Sequence, residues 1–332
     1  NVTLLREDCR RSRKGKKMAH PLKVFIYHHN ITAKLYYYIR NFRRDCRNWM
    51  SDRRFAKWYY HKNTGRTLNL QNPSNFDEKI WYLKLYDREP LKVKCSDKLT
   101  VREYVKECGL EEILNEVVGV YDRFQDIEFQ KLPDRFFIKC THTSGCNVIY
   151  DAARPFDYDY YRHEFDYWMK RDYYWGSREW NYRGLKPKII CEQVLTDKKG
   201  NLPMDYKFFC FAGRVVILSL DIGVAELSGE HAVSYCRNIY DRDFKLLPVK
   251  ESRENSPEPV RAPEHYEKMV EYAEILSRPF RHCRVDLYNL DGKIYFGELT
   301  FHHGGGCNNF QPEEFAAKLG SYIDISGLKS GK

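Results

Sequence analysis

Short apolar runs, bounded by turn residues, divide the chain from residue 136 onward. They fall at residues 136–140, 147–150, 188–194, 205–211, 214–221, about 232–239 and 283–301. Their length and their β-branched and aromatic content predict strands. Helical spacing appears between and before them. Pro73-Ser74 predicts a helix start with Ser74 as N-cap, Asp77 and Glu78 in the first turn, and Phe76, Ile80 and Leu83 on its apolar side. Val101, Tyr104, Val105 and Cys108 predict a second helix over about 96–108, stopped by Gly109. A third is expected at 157–171, with Tyr158, Tyr161, Phe165, Trp168 and Met169 on one side, where aromatics read as core. A fourth begins at Pro263, carries Tyr266, Met269, Val270, Ala273 and Leu276 at helical spacing, and ends at Pro279. Residues 242–262 read as a polar, Pro-rich surface excursion. The class is α+β, without an internal repeat.

The run at 283–301 is broken by acids. Asp286 and Glu298 interrupt two apolar strands joined at Asp291-Gly292. A carboxylate in such a strand is costly to bury unless a cation or hydrogen bonds satisfy it, so the pair suggests a divalent metal site. Loop length decides the geometry. A two-residue loop pairs Leu290 with Lys293, sets Asp286 opposite Gly297 and turns Glu298 to the other face. A three-residue loop sets Asp286 opposite Phe296 and Arg284 opposite Glu298. Arg284, Asp286, Glu298 and Thr300 then share a face, with the carboxylates roughly 7–8 Å apart on a diagonal. The metal reading therefore expects the three-residue loop. Its bland competitor is salt-bridging of both acids to Arg284 and a lysine.

At 332 residues and 42% hydrophobic the chain can bury a large core. A net charge of +10 favours anionic partners. No apolar run approaches the 18 or more residues of a membrane-spanning helix, and no leader pattern is visible, so the expected location is cytoplasmic. The eleven scattered cysteines read as mostly free thiols. Residues 1–17, ahead of Met18, are set aside as an extension outside the fold. Up to residue 66, arginines (Arg40, Arg43, Arg44, Arg47, Arg53, Arg54) interleave with aromatics (Tyr37, Tyr38, Phe42, Trp49, Phe55, Trp58, Tyr59). About half the weight goes to helices packing these aromatics on the body; an anionic membrane surface over 18–66 comes next, ahead of nucleic acid, for which no motif is present.

Two lysines stand in positions that favour anions. Lys98 falls in the first turn of the expected second helix, the wrong end for a cation unless an anion sits there too. Lys139 lies in an apolar strand beside the small-residue loop Thr141-His142-Thr143-Ser144-Gly145-Cys146, which resembles a phosphate cradle but is not a Walker A loop. Taken singly, a solvated lysine and a plain hairpin turn are the commoner outcomes. Glu192 is an acid within another strand, and Asp205, Lys207 and Phe209 share a face by alternation.

The order of these features resembles the ATP-grasp superfamily: Lys98, then Lys139 with its loop, then Glu192, a charged hairpin, and the closing Asp286/Glu298 pair. More closely, Phe76-Asp77-Glu78-Lys79-Ile80, Leu85-Tyr86-Asp87-Arg88, Asp205-Tyr206-Lys207-Phe208-Phe209-Cys210-Phe211 and Arg284-Val285-Asp286-Leu287-Tyr288 resemble the TupA-like ATP-grasp proteins of bacterial surface-polysaccharide gene clusters, over roughly residues 70–315. The resemblance implies ATP held between two α+β lobes; the basic, aromatic-rich segment, expected to be helical, precedes them and lies outside it. It implies Lys98 and Lys139 on the phosphates, Thr143, Ser144 and Gly145 closing over them, Glu192 at the base and ribose, Lys207 as a further contact, and Mg²⁺ on Asp286 and Glu298. Thr300 stands where the family usually has Asn, His302 where many relatives have arginine, and the loop 141–146 is less Gly-rich than usual. Expected boundaries are a helical extension over 1–70, a helical part of the ATP-grasp domain over 71–135, a small lobe over 136–195 and a metal-bearing lobe over 196–328.

The implied reaction is ATP-dependent joining of a carboxylate to an amine through an acyl phosphate. Arg284 steadies transferred charge; His302 and His303 with Gly304–Gly306 line the acceptor side. The expected partners are an anionic glycan or its sugar-nucleotide or lipid-linked precursor, carrying a uronic acid, and a small amine. A kinase acting on a glycan hydroxyl shares the phosphoryl-transfer half. A non-enzymatic basic module is the third reading; it leaves Asp286 and Glu298 unexplained.

Overall fold

The computed structural model describes residues 47–223 and 235–328, with Thr32, Leu35, Tyr36, Tyr38, Ile39 and Phe42 before them. The extension 1–17, and Ala232–Ser234 of the expected strand at 232–239, lie outside the described residues.

Helix α1 (Asp52–Thr64) is capped by the Ser51 hydroxyl and stopped by left-handed Gly65. It packs Phe55, Ala56 and Tyr60 against Trp81 and Leu85 of α2 (Phe76–Tyr86). The cap of α2 is Asn75 rather than Ser74: its side chain accepts from the Glu78 N–H, and Glu78 reaches back in a capping box. Of the expected helix over 96–108 only α4 (Val101–Glu107) forms, and a separate helix, α3 (Leu91–Ser96), precedes it. Asp97 breaks the expected span, because its carboxylate takes the Leu99 and Thr100 N–H groups (2.9 and 3.0 Å) in a turn that competes with the helix. Lys98 therefore sits in a turn, not at a helix terminus.

Strands β1 (Val117–Tyr121), β2 (Arg135–Cys140), β3 (Asn147–Asp151) and, after α5 (Tyr158–Met169) and α6 (Tyr174–Ser177), β4 (Ile189–Gln193) make an antiparallel sheet ordered β1-β4-β2-β3. Strand β1 was not expected in the segment read as helical, since Gly119 interrupts its apolar run. One face buries Phe136, Ile138, Val148 and Cys191 on Phe165. The other, with Phe137 and Lys139, is left to the cleft.

Strands β5 (Asp205–Phe211), β6 (Arg214–Ile222), β7 (Cys236–Asp241) and, after β8 (Lys250–Glu251) and α7 (Tyr266–Ser277), β9 (His282–Leu290) and β10 (Lys293–Thr300) form a sheet ordered β10-β9-β5-β6-β7. Phe208, Leu218, Val285 and Leu287 pack on Met269, Val270 and Ala273 of α7, and on Val101 and Val105 of α4. On the opposite face Phe209, Phe211 and Ile217 meet Phe76, Ile80 and Leu83 of α2 and Leu319 of α8 (Glu313–Ser321), which follows β11 (Phe310–Gln311). Helix α2 thus covers one end of this face. At the other end the same alternation presents Lys207 and Asp205. The excursion 242–262 is not wholly surface: β8 pairs with β11 and buries Glu251.

Candidate active site

The closing hairpin has a two-residue loop, Leu290 pairing with Lys293, not the three-residue loop expected. Asp291 and Gly292 both have positive φ (51° and 87°), the requirement of the tight turn that Asp-Gly favours. Uncorrected, this register would turn Glu298 away from Asp286. A bulge at Gly297 restores it: Phe296 pairs with Leu287, Gly297 is skipped, and Glu298 lies directly opposite Asp286, with Thr300 opposite Arg284. A side chain at 297 would come within 2.9 Å of the Asp286 carbonyl oxygen.

A cleft of about 400 Å³ separates the open face of the small sheet from the charged end of the large one. Lys98, Arg102, Lys139, Ser144, Gly145 and Glu192 line one side, and Asp205, Lys207, Asp221, Arg237, Arg284, Asp286 and Glu298 the other. The turn before α4 is tied to the small-residue loop twice. Lys98 donates its backbone N–H to the Thr141 carbonyl (3.1 Å) and its Nζ to the Thr143 carbonyl (2.5 Å). Thr143 is otherwise buried, so its backbone, not its side chain, joins this arrangement. Lys139 pairs with Glu192 Oε2 (2.8 Å), while Arg102 lies 3.6 Å from Oε1. Glu192 is thus held by two cations.

The large sheet carries a connected chain of charges. Lys207 bonds Asp205 (3.0 Å) and Asp221. Arg237 grips Asp221 through two donors (2.5 and 2.8 Å) and reaches Glu251 (3.3 Å). Glu251 accepts from His303 Nε2 (2.5 Å), whose Nδ1 accepts from Arg284 Nη1 (2.7 Å). Arg284 also binds both oxygens of Asp286 at 2.6 Å and Glu298 Oε1 at 3.0 Å, where the Thr300 hydroxyl also donates (2.8 Å). The salt-bridged competitor is thus realised in the pairing of both acids with Arg284. Within this chain, Asp205, Asp221, Glu251, Asp286 and Glu298 share three fixed cations as ion-pair partners, Lys207, Arg237 and Arg284, while Lys98 across the cleft adds its charge toward Glu298. Burial pushes the Asp286 carboxyl up to about 7 despite Arg284, the response of an under-compensated site. Asp221 is as deeply placed, yet Arg237 and Lys207 outweigh burial and hold it down at about 2.

Among the described residues no group of three or more His, Cys, Asp or Glu side chains is arranged to hold a metal alone. Magnesium does not demand one. It is commonly held by one or two carboxylates together with phosphate oxygens and water. Opposed Asp286 and Glu298 supply hard oxygens, and Glu298 is 44% exposed to the cleft. The residues present fit Mg²⁺.

His302 does not line the cleft. It is buried, its Nδ1 3.3 Å from Glu179, and burial pushes it down to about 4. Gly304–Gly306 is likewise pinned, with buried Lys84 donating to the Gly305 carbonyl at 2.8 Å. Arg102, Asp221, Arg237 and Glu251 escaped the sequence reading as site residues. Asp221 closing an apolar strand was the readable signal; Arg237 and Glu251 needed the sheet order to be seen as neighbours.

The family described as TupA-like ATPgrasp matches residues 78–324. No curated protein matches. Among solved structures, the D-alanine–D-alanine ligase of Helicobacter pylori is similar with a TM-score of 0.39 and 11% identity over 76% of this chain and 68% of that one. The ATP complex of the Bacillus anthracis D-alanine–D-alanine ligase gives 0.36 and 15% over 63% and 55%. The L-amino acid ligase of Bacillus licheniformis gives 0.37 and 17% over 64% and 44%. The last two are spanned for only about half their length. The family match covers most of the chain, and with an α+β fold of two antiparallel sheets flanking a charged cleft, the chain belongs to the TupA-like ATP-grasp family.

Proposed function

We propose that the protein is an ATP- and Mg²⁺-dependent carboxylate–amine ligase. The observation that carries this reading is one cleft bringing Lys98 and Lys139 to face Asp286 and Glu298. Lys98, Lys139, Lys207 and the N–H groups of Ser144 and Gly145 hold the triphosphate, and Phe137 and Leu195 border the base. Asp286 and Glu298, with Thr300 steadying Glu298, hold Mg²⁺, which when bound offsets charge on the transferring phosphoryl. A substrate carboxylate oxygen attacks the γ-phosphorus and ADP leaves. An amine nitrogen then attacks the acyl carbon, inorganic phosphate leaves, and the nitrogen gives up its proton. Arg284, held in place by Asp286, steadies the transferred phosphoryl. His302 acts as a positioning residue through Glu179, not by contact. We infer the acceptor to be a uronic acid of a bacterial surface polysaccharide or its precursor, and the amine an amino acid or amino alcohol. Thermal stabilisation checks the nucleotide: ATP with Mg²⁺ raises the melting temperature and UDP-sugars do not. The reverse order overturns the reading.

The N-terminal segment fits the surface of an anionic membrane, where a lipid-linked precursor is presented. Leu35, Tyr38, Ile39, Phe42 and Trp49 are 48–76% exposed, and the sequence sets six arginines among and after them. No described helix is long and apolar enough to cross a membrane. The expected outcome is co-sedimentation with phosphatidylglycerol vesicles and not with phosphatidylcholine; equal binding to both, or to neither, contradicts it.

A further inference from the structure

A second recess, of about 220 Å³, opens on the helical side of the molecule. It is lined by Asp52 of α1, Arg88, Val93 of α3, Tyr174 of α6, Trp180 and Arg183. None of these borders the cleft between the sheets.

Its charge is one-sided. The single acid, Asp52, is already engaged: the Tyr174 hydroxyl donates to it (2.7 Å) and buried Arg178 lies 3.3 Å away. Arg88 is held by the Lys84 and Asp87 carbonyls (3.1 and 3.5 Å) over the Trp180 ring (5.2 Å). Arg183 is exposed and rests over Tyr174 (5.0 Å). Among the described residues neither arginine has a carboxylate within ion-pair distance. Two guanidiniums thus border one recess with unspent donors and a shared aromatic wall. The buried Trp180 Nε1 also lacks a hydrogen-bond partner among the described residues.

We propose that this recess binds a sugar ring bearing a carboxylate. The fork of Arg183, joined by Arg88, matches a carboxylate bidentately. Tyr174 and Trp180 give the ring's C–H face an aromatic surface. Asp52, which repels a compact phosphate dianion, accepts from sugar hydroxyls. The volume is of the order of one monosaccharide unit. The recess also shares its frame with the end of β10. Arg88, just past the end of α2, donates to the carbonyl of Lys84, whose ammonium holds Gly305, and Trp180 follows Glu179, which meets His302. An occupied recess therefore bears on the backbone that closes the metal hairpin. The site deepens the proposed ligase reading, as a holding site for a uronate unit of the acceptor.

The test uses calorimetry and tryptophan fluorescence on the full chain, with glucuronate, glucose and inorganic phosphate as probes. The inference expects saturable glucuronate binding, at least tenfold weaker binding of glucose and of phosphate, and at least a tenfold loss in Arg183→Ala and in Trp180→Phe. Stabilisation by ATP with Mg²⁺ is unchanged in both. Arg183 is exposed, so its variant decides even if Trp180→Phe is unstable. Glucuronate that does not saturate, an Arg183→Ala chain that binds it undiminished, or phosphate that binds as well overturns the inference. Loss of the ATP response in the unaltered chain counts against the ligase reading instead and leaves this result standing.

Discussion

Asp286 carries two opposing demands. It is 5% exposed, clamped by Arg284 through both oxygens, and still its carboxyl is pushed by burial up to about 7. Its folded pKa exceeds the unfolded value near 3.8, so its contribution to stability is present below about pH 4 and lost as pH rises through about 7. A bound cation needs the ionised form. Affinity for ATP with Mg²⁺ should therefore fall as pH drops through about 7, while the free protein should gain stability from this group over the same range. Melting curves across pH 4–8 with and without the nucleotide check both signs, and Asp286→Asn should abolish this limb in each. At Arg237 the prediction is stability. It separates buried Asp221 from Glu251, so Arg237→Ala leaves Asp221 to Lys207 and Glu251 to His303 alone and should cost about 3 kcal/mol in denaturant unfolding. These residues also mark the limit of reading from sequence. Asp286, Glu298 and Lys139 announce themselves as charges in apolar strands, whereas Lys98 is singled out by a helix start that the Asp97 turn displaces. Arg237 and Glu251 become partners only once β7 and β8 lie beside β6 and β11. Where His302 points depends on Glu179, 123 residues away.

At the level of elements, strand existence was legible and register was not. Alternation places Lys207 and Phe209 on one face, and Asp-Gly marks the turn. Nothing in the alternation announces that Gly297 is skipped, because a bulge is a choice between two pairings of the same residues. The account makes Gly297 the residue that keeps Asp286 and Glu298 opposed. Gly297→Val sets a branched side chain against the Asp286 carbonyl and should destabilise by about 1–3 kcal/mol. It should also remove the stabilisation given by ATP with Mg²⁺ at temperatures where the fold persists. A fold-only effect, with nucleotide binding intact, contradicts the role given to the bulge. The cap of α2 offers the converse case. Asn75→Ala should cost about 1 kcal/mol and leave nucleotide binding unaltered, since it breaks a capping box remote from the cleft. The missed β1 and the split between α3 and α4 have local causes, a glycine in an apolar strand and an aspartate that caps a turn.

For the whole molecule, the α+β class and the order of charged positions were readable, because periodicity and motif order are properties of the chain. The cleft was not, since it exists only where the open face of one sheet meets the uncovered end of another. Helix α2 decides that end: by covering Phe209 and Phe211 it leaves Lys207 and Asp205 as floor. The fate of the γ-phosphate of ATP in that cleft separates a ligase from a kinase without ambiguity. Glucuronate labelled with ¹⁸O in its carboxylate is incubated with the protein, ATP, Mg²⁺ and hydroxylamine as a small nucleophile. Phosphate and sugar are then weighed by mass spectrometry. The account predicts inorganic phosphate carrying one ¹⁸O, together with the sugar hydroxamate. ADP formed with phosphate retained on a sugar hydroxyl, or phosphate without the label, would contradict it.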